Sequence, residues 1–220
     1  MPGPPREPMT KPPNRWRLFA GLFAIIVVWQ LMGYGLGWLR PPTPPTRLSN
    51  PTIFADARAP TLGPRTADVT IYLLSDYACP NCRAMHTDLR KLVAEDGNLR
   101  IVYRDWPILG ESSVRAARLA IATDNAHARF DDELMRRGGP LDDASLRGAA
   151  ARAGIDWSNL EASTVRNAAD IDNLIADTRL KANALGLNGT PVLVVGPYLV
   201  IGRQTLAQLR DLVDEARAAR

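Results

Sequence analysis

Val69-Thr70-Ile71-Tyr72-Leu73-Leu74-Ser75-Asp76-Tyr77-Ala78-Cys79-Pro80-Asn81-Cys82 decides the fold of this chain. Val69–Leu74 is short, apolar and partly β-branched, the pattern of a buried strand. A Cys-x-x-Cys follows it and opens a helical pattern. Those two cysteines are the only ones in 220 residues. The helix is predicted from about Pro80 to Ala94, with Asp96-Gly97 as its stop signal. Leu99–Tyr103 reads as a second strand. Strand, helix, strand at this spacing predicts a βαβ unit with parallel strands and a right-handed crossover.

Downstream the character changes. Helical patterns run through Ser113–Thr123, Arg129–Arg137, Asp142–Ala153, Trp157–Thr164 and Asn167–Leu185. They form an inserted helical subdomain over about 111–186. Val192–Val195 and Tyr198–Ile201 flank Gly196-Pro197 and predict an antiparallel hairpin. Leu206, Leu209, Val213 and Ala216 then share one face of a last helix over about Gln204–Arg217. The fold class is α/β: a mixed sheet with helices on its faces, spanning residues 68–220.

Ahead of this domain lies a different kind of sequence. Leu18–Leu39 carries no charge over 22 residues, and about 20 apolar residues cross a bilayer core. Trp16 and Trp38 lie near its two ends, and Arg15 and Arg17 precede it. The positive-inside rule puts residues 1–17 in the cytoplasm and the rest outside, with 18–39 as a single transmembrane helix. A cleaved signal peptide would have an apolar core of roughly 7–15 residues and an A-x-A-like site; this run is longer and lacks one. Residues 40–67 are a Pro-rich spacer and an irregular lead-in that docks on the domain through Ile53-Phe54.

Charge and redox compartment narrow the function. The net charge is +4, but residues 1–40 account for all of it; the remainder holds 22 basic and 22 acidic residues. No basic face for nucleic acid is implied. Outside the cytosol a disulfide persists. A bridge between Cys79 and Cys82 closes a loop too small to constrain the unfolded chain much, so reactivity explains the pair better than stability.

The two sulfurs are predicted to differ. Pro80 suits the first helical position, which makes Cys79 the N-cap. Its sulfur then faces free backbone amides at the positive end of the helix dipole, a place that favours the thiolate. Cys82 heads the apolar stripe Cys82, Met85, Leu89, Leu92 and points inward. Cys79 is therefore expected to be the exposed, attacking sulfur and Cys82 the sheltered partner that resolves a mixed disulfide. Pro191 of Gly189-Thr190-Pro191 opens the third strand, where trans is the default for an X–Pro bond.

These residues together resemble the DsbA-like thiol–disulfide oxidoreductases, a thioredoxin-fold family. The similar stretches are Ser75–Cys82; Arg104-Asp105-Trp106-Pro107-Ile108-Leu109-Gly110 with Ser113 and Ala116-Ala117; Leu185–Pro191; and Val200-Ile201-Gly202. The resemblance implies a thioredoxin-like fold with a helical insertion, catalytic Cys79 and Cys82, and no bound cofactor. It also implies a cis Pro191 beside the cysteines and Thr190 offering backbone hydrogen bonds to an extended client. The implied partners are reduced or misoxidised exported proteins and a membrane redox protein, either of the DsbB type or an electron donor. Two positions depart from the family pattern. Leu73 stands where members carry a buried acid, leaving Asp76 or Asp105 to substitute. Asn81 stands where the best-known oxidants carry His, and brings a donor without a positive charge.

Other readings compete. Cys79, Cys82, His86 and His127 are a candidate ligand set for a structural metal, if all four converge. Otherwise His86 packs against the insert and His127 lies on a helix surface. Tyr77 and Trp106 are candidates for an apolar client surface. Asp131-Asp132 reads as a solvated helix face. The direction of electron flow stays open: oxidase, or reductase and isomerase. A non-enzymatic membrane-tethered assembly module is the alternative of a different class.

Overall fold

The computed structural model describes residues 45–220. The predicted tail and transmembrane segment, with the first residues of the linker, lie outside them. No helix among the described residues is long and apolar enough to cross a membrane.

Six strands form one mixed sheet: β1 (Thr46–Arg47), β2 (Thr61–Leu62), β3 (Val69–Ser75), β4 (Leu99–Asp105), β5 (Val192–Val195) and β6 (Tyr198–Ile201). Their spatial order is β1-β6-β5-β3-β4-β2. β3 and β4 are parallel, with Ile71 opposite Ile101, and α1 (Pro80–Asp96) makes the crossover between them. β5 runs antiparallel to β3 and turns into β6. Between β4 and β5 stand α2 (Glu111–Ile121), α3 (His127–Arg137), α4 (Asp143–Arg152), α5 (Trp157–Arg166) and α6 (Ala168–Ala184); α7 (Leu206–Ala218) closes the chain.

β3 lies at the centre and is covered on both faces, which is why it reads as an unbroken apolar run. Ile71 and Leu73 pack with Ile101, Tyr103 and Leu193 under α1 and α7, against Met85, Leu89, Leu209 and Val213. Tyr72 and Leu74 turn to the other face, against Leu174 and Ala182 of α6 and Phe54 of the lead-in. A third core lies between the cysteine loop and the insert: Tyr77, Cys79 and Cys82 pack with Ala116, Ala117, Phe130 and Leu134.

Helix ends follow local chemistry. α1 runs two residues beyond the predicted Ala94 and stops at Gly97, whose left-handed φ of 70° sends its N–H back to Val93 O. Asp142 caps α4 by accepting the Ser145 N–H at 2.8 Å. α7 begins at Leu206, not Gln204, because Thr205 and Gln208 form a reciprocal capping box.

The lead-in is more ordered than its sequence predicts. β1 pairs with β6 and β2 with β4, so the same segment covers both edges of the sheet. Arg104, fully buried, ties it down. Its guanidinium donates to Phe54 O at 3.1 Å, Thr178 Oγ1 at 3.0 Å and Asp177 Oδ2 at 2.5 Å.

Candidate active site

Cys79 is the N-cap of α1, with φ −75° and ψ 119°, and Pro80 takes the first helical position. The Cys79 carbonyl accepts the Arg83 N–H at 3.1 Å, the first bond of the helix. Its sulfur does not cap the helix, however, and makes no side-chain bond to the first turn. The thiol donates instead to Thr190 O at 3.3 Å. Cys79 is also less open than predicted: 6% exposed, against 3% for Cys82. The sequence places it at a helix start, which is ordinarily wet. The insert and the Thr190–Pro191 segment close over it from far along the chain. Pro80 and Asn81 remain exposed and form the rim over which a reagent reaches the sulfur.

The Thr190–Pro191 peptide is cis, the isomer the resemblance implies. The Gly202 N–H bonds to Pro191 O at 2.8 Å, which fixes the segment to the end of the hairpin. Cys82 lies on the buried stripe of α1 with Met85, Leu89 and Leu92, as its spacing predicts. Burial pushes its thiol up to about 12, with the Thr190 hydroxyl and the Asp76 main chain pulling the other way. Cys82 is thus the sulfur that resists ionisation.

Asp76 sits just before the cysteines and is 1% exposed. Its carboxylate accepts from Ala78 N at 2.7 Å, Ile108 N at 2.7 Å and Leu109 N at 3.0 Å, and from the Ser113 hydroxyl in a very close contact. Its carbonyl accepts the Cys79 N–H at 3.0 Å.

Several sequence-based expectations are corrected behind the site. Tyr77 and Trp106 are buried, 1% and 3% exposed, and form core, not client surface. Asp131 is no solvated residue but 1% exposed, and burial pushes its carboxyl up to about 6. Asp132 meets the His86 ring, with Nε2 2.9 Å from Oδ1. His127 is 2% exposed; its ring lies tilted against Tyr103, centroids 4.5 Å apart, and burial pulls its imidazole down to about 3. Asp105 is buried too. Desolvation, then the charges of Asp131 and Asp76, push its carboxyl well above the usual range. The signal was present in α3: His127, Phe130, Asp131 and Leu134 repeat at helical spacing, so the polar members occupy positions of the inward stripe.

The four candidate metal ligands do not converge. His86 faces Asp131 and Asp132, His127 faces Tyr103, and no three such side chains among the described residues form a metal cluster.

A buried dithiol at a helix start, beside a cis-Pro strand of a thioredoxin-like sheet, defines a class before any comparison. The thioredoxin family model matches residues 56–215. A thioredoxin-like oxidoreductase from Silicibacter pomeroyi is 38% identical, with a TM-score of 0.72 over 78% of this chain and 99% of that one. The thiol-disulfide exchange protein alpha-DsbA2 from Wolbachia pipientis is 32% identical, with a TM-score of 0.71 over 74% and 90% of the two chains. The chain belongs to the thioredoxin family and, within it, to the DsbA-like thiol–disulfide oxidoreductases. Among curated proteins it is 28% identical over 170 residues to the Na(+)/H(+) antiporter NhaA of Nitrosospira multiformis. The match covers 76% of this chain but only 26% of that protein, so the chain spans about a quarter of the length of the curated relatives it matches.

Proposed function

We propose that this protein is an extracytoplasmic oxidase that passes the Cys79–Cys82 disulfide to exported proteins, tethered to the inner membrane by residues 18–39. The observation that carries the reading is the pairing of an N-cap Cys79 with Thr190 O at 3.3 Å, next to a cis peptide. A client thiolate attacks Cys79 Sγ. The Cys79–Cys82 bond breaks, and Cys82 leaves with the electron pair and takes up a proton. A second client thiolate then attacks the client sulfur of the mixed disulfide, and Cys79 leaves as thiolate. The client dithiol has lost two electrons and the cysteine pair has gained them. Thr190 and Pro191 line the path of the client backbone, which adds to the site in extended form. A membrane redox partner of the quinone-linked DsbB type accepts the electrons. The membrane placement is supported by the uncharged 18–39 run and by curated relatives in which a stretch similar to about three quarters of this chain is part of a much longer Na(+)/H(+) antiporter.

One observation favours a second reading. Cys82 is 3% exposed, and burial pushes its thiol up to about 12, which makes it a poor leaving group near neutral pH. Poor departure of Cys82 slows attack of a client thiolate on the Cys79–Cys82 disulfide, which suits a reductase or isomerase fed by an electron donor. The Cys79–Cys82 equilibrium with glutathione separates the two. A potential near that of thioredoxin, about −270 mV, favours the reductase; a value well above it favours the oxidase. Cys82→Ala is expected to trap clients on Cys79. Adducts forming through Cys82 in Cys79→Ala instead would overturn the assignment of roles.

A further inference from the structure

We propose that Asp76 is a positioning residue for disulfide exchange: its carboxylate clamps the loop before Cys79 to the Pro107–Gly110 turn and to α2, and so fixes the reduced cysteine pair. The inference rests on the oxidoreductase reading above and assigns a role within that site.

A buried carboxylate is costly unless its lone pairs are filled. Here four donors fill them. Oδ1 takes the Ala78 N–H and the Ser113 hydroxyl; Oδ2 takes the Ile108 and Leu109 N–H groups. Three of these donors are backbone amides from two separate loops, and the fourth belongs to α2. They meet at one side chain. The same residue reaches the cysteines through its main chain, since its carbonyl holds the Cys79 N–H at 3.0 Å. Its place in the fold is that of a fixed anchor.

The clamp is complete while both cysteines are free thiols. In the disulfide form the covalent bond itself ties Cys79 to Cys82, so the loop depends less on Asp76. The clamp therefore supports the dithiol over the disulfide. Asp76→Asn keeps the volume but offers one acceptor and two donors. Whichever way the amide turns, an N–H faces an N–H, at Ala78 or at Ile108 and Leu109. The variant should favour the disulfide.

The test equilibrates the protein with glutathione: the Cys79–Cys82 dithiol passes two electrons to oxidised glutathione, leaving a protein disulfide and two reduced glutathiones. For Asp76→Asn the equilibrium should move at least fivefold toward the protein disulfide. Ser113→Ala, which removes one bond of four, should move it about twofold the same way and decides the matter if Asp76→Asn does not fold. Arg217→Ala, far from the site, lowers stability without moving the equilibrium and exposes a merely structural effect. An unchanged equilibrium, a shift toward the dithiol, or a shift matched by Arg217→Ala overturns the role of Asp76. A wild-type protein that never equilibrates with glutathione overturns the oxidoreductase reading itself.

Discussion

Replacing Asp131 by Asn should stabilise this protein, and more so as pH rises. Asp131 sits 1% exposed on α3, against the active-site helix. Burial raises its carboxyl from 3.8 to about 6, while His86, with Nδ1 3.7 Å away, and Arg90 only partly offset it. A folded-state value above the unfolded one means that the protonated acid is the form the fold prefers. Its contribution is fully present below pH 3.8 and is lost as pH rises through about 6. Each pKa unit is worth about 1.4 kcal/mol, so the ionised carboxylate costs the native state about 2–3 kcal/mol at pH 7.5. Asn cannot ionise. In urea unfolding followed by Trp fluorescence, the variant should gain on the wild type by about 1.4 kcal/mol per pH unit between pH 4 and 6 and then level off. Comparing the two proteins at each pH cancels His127. That group, pulled from 6.5 down to about 3, works the other way: its contribution is present above pH 6.5 and is lost on acidification. A flat difference, or a variant that loses ground as pH rises, would refute the reasoning. The second result is what a carboxylate held ionised in the fold would give.

Three further outcomes follow from named contacts. In Cys79→Ser, with the remaining thiol raised from 9.0 to about 12, iodoacetamide at pH 8 should modify Cys82 about a thousandfold more slowly than in the urea-unfolded chain. Equal rates would place Cys82 in solvent. Arg104→Met should cost about 3–5 kcal/mol in urea unfolding, because it strips a fully buried cation from Asp177, Thr178 and Phe54 O; limited proteolysis should then open the lead-in near Phe54. Arg217→Ala should cost about 1–2 kcal/mol, less in high salt. It removes a half-buried guanidinium that reaches Asp68 at 2.8 Å and Asp96 at 2.7 Å and joins α7 to the ends of β3 and α1.

The central βαβ unit and the last hairpin were legible because their signals are local. β3 is apolar on both faces, β4 carries Leu99, Ile101 and Tyr103 on one face, Pro80 and Gly97 mark the ends of α1, and Gly196-Pro197 marks the hairpin turn. The edge strands were not. Thr46–Arg47 and Thr61–Leu62 are two residues each, too short to carry a period. What orders them is a partner elsewhere: β6 for the first, β4 and the buried Arg104 for the second. Adjacent acids such as Asp131 and Asp132 likewise look alike in sequence. Neighbouring residues on a helix face different ways, so one is drawn into the core and the other meets His86 at the rim.

The same division between local and distant causes runs through the site. That Cys79 begins a helix is settled within a few residues, by Pro80 and by the Asp76 carbonyl. How open its sulfur is depends on Thr190, 111 residues away, and on Ala116, Ala117 and Phe130 of the insert. Local sequence can therefore place Cys79 at the helix start without giving its exposure. Reactivity toward a client depends on both. Under the proposed function, a thiol that is 6% exposed, beneath an exposed Pro80–Asn81 rim, would admit an extended chain more readily than a bulky folded surface. On that proposal, selection of unfolded clients would follow from the packing of the insert against the N-terminal end of α1, where the helix-start chemistry is already in place.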